Sequence, residues 1–148
     1  MPEKKRPFCI EVLTPEGSVC TAEAVSATFP ASDGRVGVLA GHMPMVALLG
    51  AGAMEIQRTD GQEVSLYVSG GFAQFRENAF TILAEEAIPI EKIDAEEAWE
   101  DIERARKLPM DTEAAIARRE RAIMAAQSKF KLAQKRRQGM KMPGASLE

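Results

Sequence analysis

The feature that most constrains this chain is a change of period near Ile93. Over the first 88 residues, apolar side chains recur every second position in short runs broken by turn formers. Beyond Ile93 they recur every three to four positions. The first pattern suits strands with one buried face, and the second suits amphipathic helices. One regular element cannot carry both, so the 148 residues divide by period. The expected architecture is an all-β sandwich or flattened barrel over 1–90, an antiparallel α-helical hairpin over 91–139, and a flexible tail over 140–148.

The strand half is punctuated clearly. "FCIEVLT" alternates, with Phe8, Ile10 and Val12 on one face and Glu11 on the other. "TPEG" follows as a turn, and "AVSATFP" is a second run. "AMEIQR", "TDGQ" and "EVSLYV" make a hairpin whose turn signal is Asp60-Gly61. In its second strand Val64, Leu66 and Val68 face one way, and Glu63, Ser65 and Tyr67 the other. "AFTILAEEAI" is a further strand with Phe80 and Ile82 inward.

In the helical half Asp94 is an N-cap for "AEEAWEDIERARK", with Ala95, Ala98, Ile102 and Ala105 on one stripe. Leu108-Pro109 ends that helix, because proline lacks a backbone donor and restricts the residue before it. Asp111 or Thr112 caps a second helix that runs to about Gln138, with Gly139 as its stop. Its expected seam is Ile116, Ile123 and Phe130 with Ala126 and Ala133. Burying each larger seam residue is worth roughly 1.5–3 kcal/mol. Ordering the helices costs a similar total, so the hairpin is expected to be marginal alone.

Candidate chemistry is sparse. A single histidine, His42, excludes a multi-histidine metal site, and Cys9 and Cys20 lack zinc-site spacing. Without a secretory signal the two cysteines are expected to be reduced and buried. Ser69 in "YVSGGF" is not a nucleophile elbow, since Tyr67 occupies the first glycine position. Glu85 and Glu86 are adjacent on a strand and point to opposite faces. His42 lies in "GRVGVLAGHMPM" among turn formers, which favours loop architecture or contact over catalysis. No run of about 18 apolar residues is present to span a membrane.

Charge is the sharper signal. The net charge is −3, with residues 1–90 carrying 11 acids against 6 bases and residues 109–148 carrying 4 against 9. The second helix concentrates Arg118, Arg119, Arg121, Lys129, Lys131, Lys135, Arg136 and Arg137. Such a block meets something acidic: nucleic acid, lipid or an acidic protein surface. Its one aromatic, Phe130, lies on the expected seam, and no nucleic-acid motif is present. A stand-alone sandwich whose basic hairpin binds a polyanion such as RNA is the alternative reading.

Three stretches carry a resemblance to a family: "GRVGVLAGHMPM", "YVSGGFAQ" at Tyr67–Gln74 and "TILAEEAI" at Thr81–Ile88. They resemble the epsilon subunits of rotary F-type ATP synthases, whose loop reads G-x-x-G-V-L-P-G-H-x-P-L. Ala40 replaces the usual proline. The resemblance implies a non-catalytic rotor subunit of a proton-translocating ATP synthase, a peripheral protein on the cytoplasmic face of a bacterial inner membrane. It implies gamma, the c-ring and the alpha and beta subunits as partners, with no nucleic acid, and contact with the membrane only through the complex. Carried over by position, Thr14, Arg35 and His42 face the c-ring, with Arg35 standing where some relatives have an acid. In the family the hairpin acts as a brake on ATP hydrolysis, and its basic residues meet an acidic segment of beta. Some relatives bind regulatory ATP at an [I/L]-D-x-x-R-A motif. Here Ile93, Asp94 and Ala98 match, but Glu97 holds the arginine position. Arg104, two turns along the same face, completes this degenerate motif as a helper without replacing the arginine. Weak or absent ATP binding is therefore expected, with no cofactor, because a carboxylate repels a triphosphate.

Overall fold

The structure is a computed structural model that describes residues 6–137. The chain divides into two compact units meeting between Pro89 and Ile90. The expected tail, the stop at Gly139 and Gln138 lie outside the described residues.

The first unit contains seven strands: β1 (Phe8–Thr14), β2 (Gly17–Ala31), β3 (Gly34–Leu39), β4 (Met45–Leu48), β5 (Gly52–Arg58), β6 (Glu63–Arg76) and β7 (Ala79–Pro89). Their hydrogen-bonded order is β1-β7-β6-β5-β2-β3, and β2 pairs again with β1. That last pairing closes a five-strand ring, which makes the unit a flattened barrel. The ring is mixed, because β1 runs parallel to β7 while its other ladders are antiparallel. β3 extends it on β2, and β4 lies on β6.

Closure works because β2 is 15 residues long and bends between partners. Its first half pairs with β1 from Phe8↔Ala24 to Thr14↔Gly17, and its second half pairs with β3 and β5. The sequence pattern showed only the second half of this strand. The enclosed core contains Phe8, Ile10, Val12, Phe29, Phe75, Phe80 and Ile82 among others. Phe75 stands 5.7 Å from Phe8 and 5.9 Å from Phe80, in the tilted and edge geometries aromatic rings prefer.

Several local expectations shift. Gly34–Leu39, part of the stretch likened to the family's loop, is strand β3, with Val38 buried. Tyr67, expected on the face opposite Leu66 and Val68, is buried as they are. Cys9 is exposed and Cys20 half-buried, and both are free. Cys9 pairs with Glu23 whereas Cys20 pairs with Val12, three residues along the ladder. That offset is about 10 Å, beyond disulfide reach.

The second unit opens with a 3-10 turn at Ile90–Lys92, followed by α1 (Ala95–Arg106) and α2 (Glu113–Arg137). Asp94 caps α1, its carboxylate accepting from the Glu96 and Glu97 amides at 2.8 and 3.3 Å. Thr112 caps α2, its hydroxyl accepting from the Ala115 amide at 3.0 Å. The α1 stripe of Ala95, Ala98, Ile102 and Ala105 is buried. The α2 seam is rotated from the expected one: Ala115, Ala126, Lys129, Leu132 and Ala133 are buried, whereas Ile116 is exposed and Ile123 and Phe130 are half-buried. Alanine against alanine lets helix axes approach closely, so bulkier side chains move to the flanks.

Candidate functional site

One turn, one loop and the lead-in to β1 converge at the end of the barrel where β1 begins. β6 and β7 are joined by Glu77–Asn78, with φ of 52° and 61°. Two positive φ values in a two-residue connection define the turn whose twist matches antiparallel strands, and asparagine tolerates that conformation. Asn78 then ties three segments together. Its Oδ1 accepts from the Gly41 amide at 2.9 Å, and its Nδ2 donates to the Pro7 carbonyl at 2.9 Å. Its own carbonyl accepts from the Cys9 amide at 3.2 Å.

Held this way, the β3–β4 loop presents His42. The His42 amide donates to the Leu39 carbonyl at 3.1 Å, and Nδ1 lies 2.8 Å from the Met43 carbonyl. The ring meets Phe75 edge-on at 5.6 Å. A half-buried imidazole so fixed is a loop-shaping group, with Met43 (74% exposed) and Leu39 (58%) projecting beside it.

Thr14, Arg35 and His42 are not gathered at one end. Thr14 ends β1 beside the β1–β2 turn, where its hydroxyl accepts from the Glu16 amide at 3.2 Å. His42 lies beside the start of β1, so the two are separated by the strand's length, roughly 20 Å. Arg35 reaches across β2 to β5, donating to the Ala53 carbonyl at 2.8 Å, to Thr28 at 3.0 Å and to Glu55 at 3.4 Å. Its guanidinium is a cross-strand tie before it is a contact charge.

An apolar row was not foreseen. Leu48 pairs with Phe72, and Phe72 pairs with Leu83. Directly opposed residues share a sheet face. All three are exposed, Leu48 at 66% and the others at 40% each, with Val46 exposed two positions along β4. The alternation of β7 betrayed Leu83 as an outward apolar residue. Whether Phe72 or Phe75 pointed inward needed the register.

Gly71 shows why "SGG" stands in β6. At φ 90°, a Cβ on it would lie 1.8 Å from the Leu83 carbonyl oxygen, so only glycine lets β7 approach.

In the hairpin, Ile93 and Ala98 are buried structural positions and Asp94 is engaged as a helix cap. Arg104 pairs with Asp101. Glu97 is exposed. The expected basic face is partly spent inside the fold. Lys129 is buried with Nζ 2.9 Å from Asp101, and Arg119 Nε donates to the Arg106 carbonyl at 3.3 Å, near the end of α1. Arg118, Arg121, Lys131 and Lys135 remain on the exposed surface. Arg136 and Arg137 continue the helix.

Two titratable groups are shifted by their surroundings. Burial pushes the Cys20 thiol up, with Arg58 partly opposing, which disfavours a thiolate. Burial, then Glu55, raises Glu63. Among the described residues no group of three His, Cys, Asp or Glu is placed to hold a metal, and no helix is long and apolar enough to cross a membrane. A flattened barrel with an outward apolar row and a charged helical hairpin presents surfaces suited to contact with other proteins.

Comparison with known proteins makes this specific. Residues 7–90 match the model of the ATP synthase delta/epsilon chain β-sandwich domain. The chain is 36% identical over 102 residues to the ATP synthase epsilon chain of Dichelobacter nodosus, covering 69% of this chain and 71% of that one. It is 35% identical over 127 residues to the Bacillus pumilus epsilon chain, covering 85% and 96%. A chain in the Euglena gracilis mitochondrial ATP synthase (OSCP/F1/c-ring) superposes with a TM-score of 0.68 at 26% identity, covering 82% of this chain and 78% of that one. The chain belongs to the ATP synthase delta/epsilon family, on the epsilon side. It is a non-catalytic central-stalk subunit of that complex. The reading as a stand-alone polyanion binder falls away.

Proposed function

We propose that the barrel couples rotation of the c-ring to the catalytic head by binding gamma through the Leu48–Phe72–Leu83 row and the ring through the Leu39–Met43 loop. The observation that carries this is the apolar row, since contiguous outward apolar side chains on a sheet mark a protein contact. Gamma is the assigned partner of the row because an obligate stalk contact is apolar and survives salt. The Leu39–Met43 loop, stiffened by Asn78, suits a ring contact in which apolar tips and His42 outweigh Arg35. Thr14, at the far end of β1, takes no part in that contact.

The hairpin is the regulatory element. Its exposed bases Arg118, Arg121, Lys131 and Lys135, continuing through Arg136 and Arg137, meet an acidic segment of beta and brake ATP hydrolysis. Lys129 and Arg119 hold the hairpin itself. Regulatory ATP does not bind, because Glu97 replaces the arginine that would pair with the phosphates and Asp94 is already a cap. The complex sits at the cytoplasmic face of a bacterial inner membrane.

The test compares ATP hydrolysis by the catalytic complex carrying the full chain or a chain ending at Ile90. Faster hydrolysis with assembly intact supports the brake. Unchanged hydrolysis removes the brake and leaves the coupling role. Failure of the full chain to assemble sinks the proposal.

A further inference from the structure

The two helices carry opposite charge, and the acidic one holds the chain's single tryptophan. On α1, Asp101 pairs with Arg104 and Lys129, and Glu103 pairs with Arg106. Glu96 and Glu100 have no ion-pair partner among the described residues. They are one turn apart, with Trp99 between them on the same face. Trp99 is 47% exposed, and its ring stacks at a tilt on Phe130 of α2, centroids 5.5 Å apart. Together with Ala95 and Gln134 these residues line an open groove of about 330 Å³.

Left empty, this arrangement is unfavourable twice. Two carboxylates at i and i+4 repel, and a half-exposed indole keeps apolar area in water. A ligand relieves both only if it brings a cation on an apolar stem. An arginine or lysine side chain does this, lying along the indole face while its head meets the carboxylates. Arginine fits better, because its planar guanidinium stacks and donates in pairs. The groove is at the small end for an organic ligand but ample for one or two side chains.

We propose that this groove docks an arginine-bearing segment of a partner subunit, its guanidinium stacked on Trp99 between Glu96 and Glu100. The hairpin thus has two faces of opposite chemistry: α2 takes an acidic surface, and α1 takes a basic one. The identity of the host complex rests on the function proposed above; the chemistry of the groove does not.

Trp99 is its own reporter. The full chain is titrated with an amidated hexa-arginine peptide while Trp99 emission is followed. A saturable change is expected, with affinity about tenfold weaker in E96Q/E100Q, the equivalent of about 1.4 kcal/mol. The E11Q/E23Q control, which removes equal charge from the barrel, leaves the affinity unchanged. No saturable change, or equal affinity in E96Q/E100Q, overturns the proposal. An emission shift on concentrating the chain alone makes a second copy the occupant and also overturns it. The chain is next added to catalytic complex lacking this subunit. Assembly with a blue-shifted Trp99 supports docking. Assembly with unchanged emission refutes docking while the stalk function stands. Failure to assemble refutes the stalk function, and the peptide titration still decides the groove.

Discussion

Asn78 offers the most direct test of how the contact loop is built. Alanine there removes two side-chain hydrogen bonds, to the Gly41 amide and from the Asn78 amide group to Pro7. Each is worth about 0.5–1.5 kcal/mol net. It also places an ordinary side chain at φ 61°, costing roughly 1 kcal/mol more. The bonds are solvent-accessible, so their sum lies near the lower end and N78A should lose about 2–3 kcal/mol. For a barrel of this size that lowers Tm by roughly 10–15 °C. Asn78→Gly separates the terms: glycine accepts the backbone at no steric cost and loses only the hydrogen bonds. It should lose about 1–2 kcal/mol, roughly 5–10 °C. The assay is thermal unfolding of the full chain followed by near-UV circular dichroism, with exchange of the Gly41 amide measured in parallel. If N78A melts within about 2 °C of wild type, or the Gly41 amide stays protected, Asn78 does not organise this end of the barrel. If N78G costs as much as N78A, the backbone term assigned here is wrong.

Gly71→Ala should be far more damaging than Gly61→Ala, because the added Cβ meets the Leu83 carbonyl in one case and open space in the other. Unfolding free energies from denaturant titration should differ by at least about 2 kcal/mol, and equal values would refute the close β6–β7 approach. Phe72→Lys should leave Tm nearly unchanged, since the side chain is exposed, yet weaken binding to gamma by 10-fold or more, roughly 1.4 kcal/mol in pull-down titration. Unweakened binding would move the gamma contact off this row. Calorimetry at millimolar ATP should show no saturable heat with the wild-type chain and measurable binding with Glu97→Arg. Saturable wild-type binding would remove the repulsion argument.

What sequence fixed and what it left open divide along the range of the interactions. The cap at Asp94, the Asp60–Gly61 turn and the inward Phe8, Ile10, Val12, Phe80 and Ile82 were legible because each depends on neighbours within about four residues, and the second cap was narrowed to Asp111 or Thr112, of which the structure selects Thr112. The family was legible too, since its loop and the "SGG" of β6 are contiguous words. The α2 seam was misplaced because a 25-residue helix rich in alanine has no dominant apolar stripe. The facing α1 alanines chose which side packs.

Sequence alone therefore determined the two-part architecture, the absence of a recognisable catalytic constellation and the basic bias of the last helix. Only the tertiary structure decided that Leu48, Phe72 and Leu83 form one row and that Asn78 joins Pro7 to Gly41 across 34 residues or more of chain. It also withdrew Arg35, Arg119 and Lys129 from the free charges by giving them internal partners. The physical reason is register: a strand shows from its own alternation which side chains share a face, but which neighbours they meet is set by ladders closed between distant segments.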